Sequence, residues 1–110
     1  MIELVIQNYL TTHLSVPSFL ERDKSVKEFV LFEKTSSSKR NHVTAATFAF
    51  QSYAKSLYEA AKLNEELKQV VEQMIELDEI SSIKFNSDYN FTDTQTKDYR
   101  YQAVFDINYY

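Results

Sequence analysis

The sequence predicts an α+β domain: a four-stranded antiparallel sheet with two helices on one face, in the order α-β-β-α-β-β. Two long segments repeat apolar residues every three or four positions, which is the period of a helix with one buried stripe. Four other segments are rich in β-branched and aromatic residues. Because connections between successive strands are short, we expect hairpins and therefore antiparallel pairing.

The first helix is predicted at the N-terminus, and Pro17 ends it because proline disfavours a helical conformation at the preceding residue. Residues 18–27 follow as a predicted charged loop. The apolar stripe of this helix, which we expect to pack on the sheet, consists of Ile2, Val5, Ile6, Tyr9, Leu10 and His13.

The first predicted hairpin joins a strand over residues 28–34 to a strand over residues 43–53. Between them, residues 36–41 are serine-rich and basic, so we expect a turn or flexible loop there. The chain has no glycine, so its turns must rely on Asn, Asp and Ser, which tolerate left-handed backbone at some cost.

The second helix begins at a capping box, in which Ser56 and Glu59 satisfy each other's free backbone N–H groups. Its apolar face extends to Leu77, a length of about 30 Å. Asn64 is a polar residue within this face, and we expect it to be hydrogen-bonded to a neighbour.

The second predicted hairpin joins residues 80–91 to residues 99–109 through a polar turn at residues 92–97. The last strand alternates strictly, which is typical of a strand with one buried face. One of its two faces consists of Arg100, Gln102, Val104, Asp106 and Asn108.

Composition restricts the possible functions. The 110 residues correspond to a single domain. The absence of glycine and cysteine excludes glycine-dependent phosphate loops, disulfides and thiolate metal sites. No segment approaches the roughly 18 apolar residues of a membrane span, and the acidic N-terminus argues against a secretion signal. A formal charge of -4 without a dense basic run makes specific nucleic-acid binding a poor hypothesis.

No set of residues has the spacing of a catalytic or metal site. His13 and His42 lack a paired-ligand pattern, and we expect the first in the core and the second on the surface. Residues 88–99 open like a calcium loop, but Asp93 stands where glycine is needed and Tyr99 where a bidentate Glu belongs. We therefore predict no enzymatic activity and no cofactor.

One pattern indicates a contact surface. In the first predicted strand Phe29 and Leu31 alternate with Val30 and Phe32, so both faces are apolar. Two helices cover one face of a sheet, and the other should be polar where it meets water. We therefore expect the second face to bind a partner; the alternative is a sheet that curls and buries both faces itself.

Two stretches carry a resemblance to a known family. They are AATFAFQSYA (45–54) running into SLYEAAKLNE (56–65), and SDYNFTDTQTKDYRYQAVFDINYY (87–110). Both resemble the small tail-terminator or tail-completion (head–tail joining) proteins of long-tailed phages and prophages of Gram-positive bacteria. The resemblance implies two helices on an antiparallel sheet, no catalytic residues, and a ring, usually of six copies, on the head-proximal end of the tail tube. Such a ring stops tube polymerisation and provides the surface on which the head docks.

The implied partners are further copies of the chain, the major tail-tube protein and a neck or head-completion protein. The protein would be made in the host cytoplasm and would reside in the virion, with genome DNA passing through the ring without specific binding. Two alternatives are a head-side connector or stopper protein of the neck and a small ligand-binding module. The candidate contact residues are Val30, Phe32, Lys39, Arg40, Arg100, Gln102, Val104 and Asp106.

Overall fold

Both predicted helices pack on the same face of one sheet in a computed structural model that describes residues Met1–Tyr110. Across the sheet the strand order is β1-β2-β3-β5-β4, and the four long strands are antiparallel. The predicted α+β class is therefore confirmed. The elements are α1 (Ile2–His13), β1 (Ser18–Phe19), β2 (Phe29–Arg40), β3 (Val43–Ala54), α2 (Leu57–Gln73), a 3-10 turn (Met74–Glu76), β4 (Ile80–Asn90) and β5 (Tyr99–Tyr109).

The prediction of four antiparallel strands is wrong in one respect, because the sheet has five strands and is mixed. The short β1 lies in the segment predicted as a charged loop, and it pairs in parallel with β2. The backbone N–H of Val30 donates to the carbonyl of Pro17 at 3.0 Å, and Gln7 of α1 donates to the carbonyl of Ser18 at 3.0 Å. These bonds come from residues distant in sequence, so local pattern does not reveal the strand.

The first hairpin is longer than predicted. Strand β2 continues through the expected loop to Arg40, which pairs with Val43, so only Asn41 and His42 connect the two strands. Their φ angles are 52° and 67°, as in the two-residue turn that matches the twist of antiparallel strands. Lys97, at the other hairpin, has φ of 56°. In a chain without glycine, His and Lys thus occupy left-handed positions beyond the Asn, Asp and Ser that we expected.

The core lies between the helices and the sheet. Phenylalanine side chains from three strands meet there, with Phe50 centred 5.6 Å from Phe32, 6.2 Å from Phe48 and 5.9 Å from Phe105. Burying each ring contributes roughly 1.5–3 kcal/mol of hydrophobic stabilisation. The helices complete this core with Ile2, Ile6, Tyr9, Leu10, Leu63, Leu67, Val70 and Val71.

The second helix begins where predicted but ends earlier. The backbone N–H of Glu59 donates to Ser56 Oγ at 3.1 Å, which is one half of the predicted capping box. The helix ends at Gln73 and tightens into the 3-10 turn. Asn64 is buried and donates to Asp88 at 2.8 Å, so its predicted bond to a neighbour is confirmed. None of the helices has the length and apolar character needed to cross a membrane.

Candidate functional site

The face of the sheet turned away from the helices, termed the open face, carries half of the predicted contact residues. In β5, Ala103, Phe105 and Ile107 belong to the core, so the alternate residues point to the opposite side. Those residues are half-buried. As the alternation predicted, the structure places four candidates together on the open face: Arg100, Gln102, Val104 and Asp106.

A ladder of hydrogen bonds crosses the open face from strand to strand. Gln51 of β3 donates from Nε2 to Gln102 Oε1 at 2.8 Å, and it accepts from the hydroxyl of Tyr53 at 3.1 Å. Gln102 in turn donates to the hydroxyl of Tyr89 on the edge strand β4. These bonds join polar side chains of β3, β5 and β4, so each side chain is restrained by its neighbours on the open face.

A second group of bonds orders the face closer to the β2–β3 turn. Thr47 donates to Asp106 Oδ1 at 2.8 Å, and Asn86 donates to Asp106 Oδ2 at 3.1 Å. Both carboxylate oxygens of Asp106 therefore have a partner within the sheet. The side chain is fixed across three strands and presents its charge in one position.

Between these two polar groups lies a small apolar strip. Val104 is half-buried and directly opposite the buried Ala49 on β3, and the half-buried Leu31 on β2 lies in the neighbouring row, opposite Gln51. The exposed Glu33, which is opposite Ala49 on β2, borders the strip. Leu20 borders the strip beside a cavity of about 70 Å3. At the outer edge, the rings of Tyr89 and Phe91 are exposed and meet edge to face at 5.9 Å. An apolar centre with a polar and aromatic surround is the composition of a protein contact surface.

The assignment of Val30 and Phe32 to this surface is wrong. Their exposed fractions are 0% and 1%, because they project into the helix-covered core. A strand with apolar residues on both faces gives no local sign of which set the helices will cover. Lys39 and Arg40 are exposed, but they lie at the far end of β2 beside the turn, apart from the other candidates.

The chain covers one end of the open face itself. Phe29 is buried there because its ring stacks on Tyr53 at 4.6 Å and contacts Phe19 of β1 at 5.8 Å. The guanidinium of Arg22 lies 5.0 Å from the centre of the Tyr53 ring. The alternative of a sheet that buries both faces is therefore correct for this end, while the apolar strip around Val104 stays half-open.

Sequence reasoning missed a second feature, a basic pocket at this same end of the sheet. It is a cavity of about 360 Å3 with one carboxylate, Asp98, in its lining. Lys55 pairs with Glu28 at 3.6 Å, whereas Lys24, Lys27 and Lys97 form no ion pair. The cationic residues of the lining are Arg22, Lys24, Lys27, Lys55 and Lys97.

One ion pair holds the wall of the basic pocket in place. Arg22 donates from both guanidinium nitrogens to Asp98, at 2.9 and 3.0 Å, and so ties the loop after β1 to the start of β5. The hydrogen bond from Arg22 lowers the pKa of Asp98 and raises the pKa of Arg22. The five cationic residues come from three separate stretches of sequence, so the pocket could not be predicted from a dense basic run.

A third feature, the acidic turn, lies at residues 72–79, between α2 and β4. The stretch from Lys68 to Lys84 contains no other cationic residue. Ile75 is exposed in the middle of the turn, with half of its surface accessible. The turn has four carboxylates, all exposed and none in an ion pair: Glu72, Glu76, Asp78 and Glu79.

The residues weighed for metal binding have other roles. His13 is exposed and its ring stacks on Tyr9 at 3.9 Å, so the prediction of a core position is wrong; His42 is exposed in the β2–β3 turn, as predicted. Asp88, the first residue of the calcium-like stretch, instead accepts from Lys68 at 2.8 Å, which lowers its pKa. Nowhere do three or more His, Cys, Asp or Glu side chains form a group suited to a metal ion.

Neither a scan of protein-family models nor a search of curated proteins finds a match for this chain. The three surfaces with distinct chemistry on this chain are the open face, the basic pocket and the acidic turn.

Proposed function

We propose that this chain is a structural phage protein of the tail-terminator type, without catalytic activity and without a cofactor. Copies of it would form a ring, with six as the expected number, on the head-proximal end of the tail tube. The ring would stop polymerisation of the tube and provide the surface to which the head is joined. Its partners would be further copies, the major tail-tube protein and a neck or head-completion protein, within the virion.

The open face is the observation that carries this proposal. The two helices leave its centre uncovered, and hydrogen bonds between Gln51, Gln102 and Tyr89 hold it in one arrangement. A face that only met water would have no need of an apolar strip at Val104 between ordered polar groups. Surfaces whose side chains are already hydrogen-bonded to one another suit contacts between protein subunits, because less side-chain freedom is lost on binding.

Further support comes from the resemblance of residues 45–65 and 87–110 to tail-terminator proteins, since these stretches build β3, α2 and β5. Two helices on an antiparallel sheet is the architecture that the resemblance implies, and the four long strands and both helices agree with it. The open face contains the alternating residues of β5 that fall within the second stretch. We assign that face to contacts within the ring or with the tube.

The proposal is tested by complementing a phage that lacks this gene. Wild-type protein should give tails of uniform length joined to heads. Val104→Asp places a carboxylate in the apolar strip, which is strongly unfavourable once a partner excludes water and supplies no counter-charge. We expect that variant to fold, with a stability loss of about 1 kcal/mol in the free chain, and to leave overlong or unjoined tails by electron microscopy.

Tyr58→Asp is the matched control, because it adds the same charge at an exposed position of α2. It should complement as well as the wild type. Full rescue by folded Val104→Asp would refute the assignment of the open face. Normal tails in the complete absence of the protein would refute the function itself.

A further inference from the structure

Opposite charges lie at opposite ends of the molecule, whose longest dimension is 45 Å. The basic pocket is at the end where Ala54 pairs with Tyr99, both of which line it. The acidic turn leads into β4 at the other end, where Ile80 pairs with Tyr109. Strand β5 runs between these two ends, so eleven residues, or about 36 Å, separate them. A chain cannot bring its own pocket and turn together.

The charge imbalance of each surface is large for a chain of this size. The basic pocket holds five of the twelve cationic residues and one of the sixteen acidic ones. The other seven cations share the rest of the chain with fifteen carboxylates, one of which, Glu28, pairs with Lys55 of the pocket at 3.6 Å. Lys24, Lys27 and Lys97 have no partner in the pocket, and the four carboxylates of the acidic turn have no cationic partner. Like charges held together in this way raise the free energy of the isolated chain, and an oppositely charged surface relieves that cost.

We propose that the basic pocket of one copy binds the acidic turn of a second copy. The inference rests on the proposed function, because it specifies how copies would join. The contact uses two different surfaces and leaves a free pocket on one copy and a free turn on the other. Such head-to-tail contacts propagate from copy to copy and close into a ring when the rotation between neighbours permits.

Apolar residues within both surfaces favour a protein ligand over a polynucleotide. Ile75 protrudes from the acidic turn, and Val26 lines the pocket beside Lys24 and Lys27. An apolar anchor among complementary charges is the composition of a protein interface, where the charges select the partner and the anchor is desolvated. A nucleic acid approaching the pocket would also face the carboxylates that dominate the remaining surface.

Disulfide trapping tests the contact, and the absence of cysteine makes the assay clean. One chain carries Val26→Cys in the pocket and the other carries Ile75→Cys in the turn. After mixing and mild oxidation, we expect the mixed 26–75 dimer to form at least several-fold faster than either homodimer. The control replaces the Ile75→Cys chain with Leu4→Cys, since Leu4 is 52% exposed on α1 and Ile75 is 50% exposed. A 26–75 rate no higher than the 26–4 rate would overturn the proposal.

Charge reversal gives the trapping assay a second control. Lys24→Glu with Lys27→Glu in the pocket chain should reduce the 26–75 rate about tenfold or more, because like charges then meet. Asp78→Lys with Glu79→Lys in the turn chain should do the same. Mixing the two reversed chains should restore the rate. These four side chains make no ion pair in the folded chain, so the substitutions spare its internal contacts. Failure of the reversed pair to recover would count against the contact.

Complementation separates a failure of this inference from a failure of the proposed function. Either reversal alone should give defective tails, and a chain carrying both reversals should rescue them. Rescue by each single reversal would disprove the contact and leave the tail function intact, whereas tails that need no copy at all would disprove the function. A different result would identify a polynucleotide, and not a second copy, as the ligand of the basic pocket. In that case no 26–75 disulfide would form, and the protein would bind double-stranded DNA in a way that Lys24→Glu with Lys27→Glu abolishes.

Discussion

Among single residues, those in the hairpin turns show the effect of a sequence without glycine: residues with a Cβ must adopt left-handed backbone conformations that are sterically unfavourable for them. Asn41 and His42 both have positive φ, and Lys97 does as well. In the left-handed region Cβ approaches the backbone in every residue except glycine; the short polar side chain of Asn offsets this cost by local hydrogen bonding, and those of His and Lys offset it less. The turn nevertheless forms, because the long β2–β3 ladder on either side of it fixes the register.

The expected consequence is that His42→Gly stabilises the protein. Asn followed by Gly is the favoured pair for this turn, and glycine removes the steric cost at φ of 67°. We expect the free energy of unfolding to rise by roughly 0.5–1 kcal/mol after the entropy of the unfolded chain is included. Denaturant titration measures it. Ser37→Gly, within β2 of the same hairpin, is the control and should instead lower the stability of the protein. If His42→Gly also lowered it, the proposed steric cost at His42 would be refuted.

At the scale of elements, α2 depends on its first turn. Ser56 is extended, with φ of -145°, and its hydroxyl accepts the N–H of Glu59, one of the four donors that a helix start leaves unpaired. The helix then contributes Leu63, Leu67 and Val71 to the core. Loss of the cap at Ser56 would therefore also weaken the packing of these helix residues in the core.

Ser56→Ala should lower the free energy of unfolding by about 1 kcal/mol, because the N–H of Glu59 loses its acceptor. Thermal or urea unfolding followed by far-ultraviolet circular dichroism measures the loss. Ser56→Asp should retain most of the stability, since a carboxylate also caps and favours the N-terminal end of the helix dipole. Ser36→Ala, at an exposed strand position, is the neutral comparison. Equal stabilities for Ser56→Ala and the wild type would show that the cap is unimportant.

At the scale of the whole molecule, two ion pairs join segments that are distant in sequence. Lys68 and Asp88 link α2 to β4 at 2.8 Å, and Arg22 and Asp98 link the loop after β1 to β5 at 2.9 Å. Each pair is partly exposed, so each contributes at most about 1 kcal/mol. Together they connect α2 to β4 and the loop after β1 to the residue that precedes β5.

These two ion pairs predict that the stability of the protein falls in acid. The hydrogen bond from Lys68 lowers the pKa of Asp88 below 3.8, and the one from Arg22 does so for Asp98. A carboxyl whose pKa is lower in the folded state stabilises above its unfolded pKa, and the contribution disappears as the pH falls through the folded value. We therefore expect the wild type to lose stability as the pH falls below about 4.

The paired variant Asp88→Asn with Asp98→Asn should be less stable at neutral pH, by about 1–2 kcal/mol. Because it lacks both titrating groups, its stability should fall less steeply in acid. Urea midpoints measured across the acid range compare the two slopes. Asp78→Asn, whose side chain has no partner, should follow the wild type. If the stability of the wild type and of the paired variant fell equally steeply with decreasing pH, Asp88 and Asp98 would not be the source of the acid sensitivity.

Most of the helices and strands could be predicted from local pattern alone. Helical spacing in α1 and α2, the cap at Ser56 and the alternation in β5 each depend on neighbours within a few residues, so pattern was sufficient for them. The same alternation placed Arg100, Gln102, Val104 and Asp106 on one face.

Which sheet face the helices cover, and therefore the burial of Val30 and Phe32, depends on long-range packing. The pairing of Ser18 and Phe19 with β2 depends on it as well. The basic pocket belongs to this group, because Lys24, Lys55 and Lys97 become neighbours only when the ends of three strands meet. Periodicity records what repeats along the chain, whereas burial and charge clustering depend on pairs of segments that local sequence does not relate.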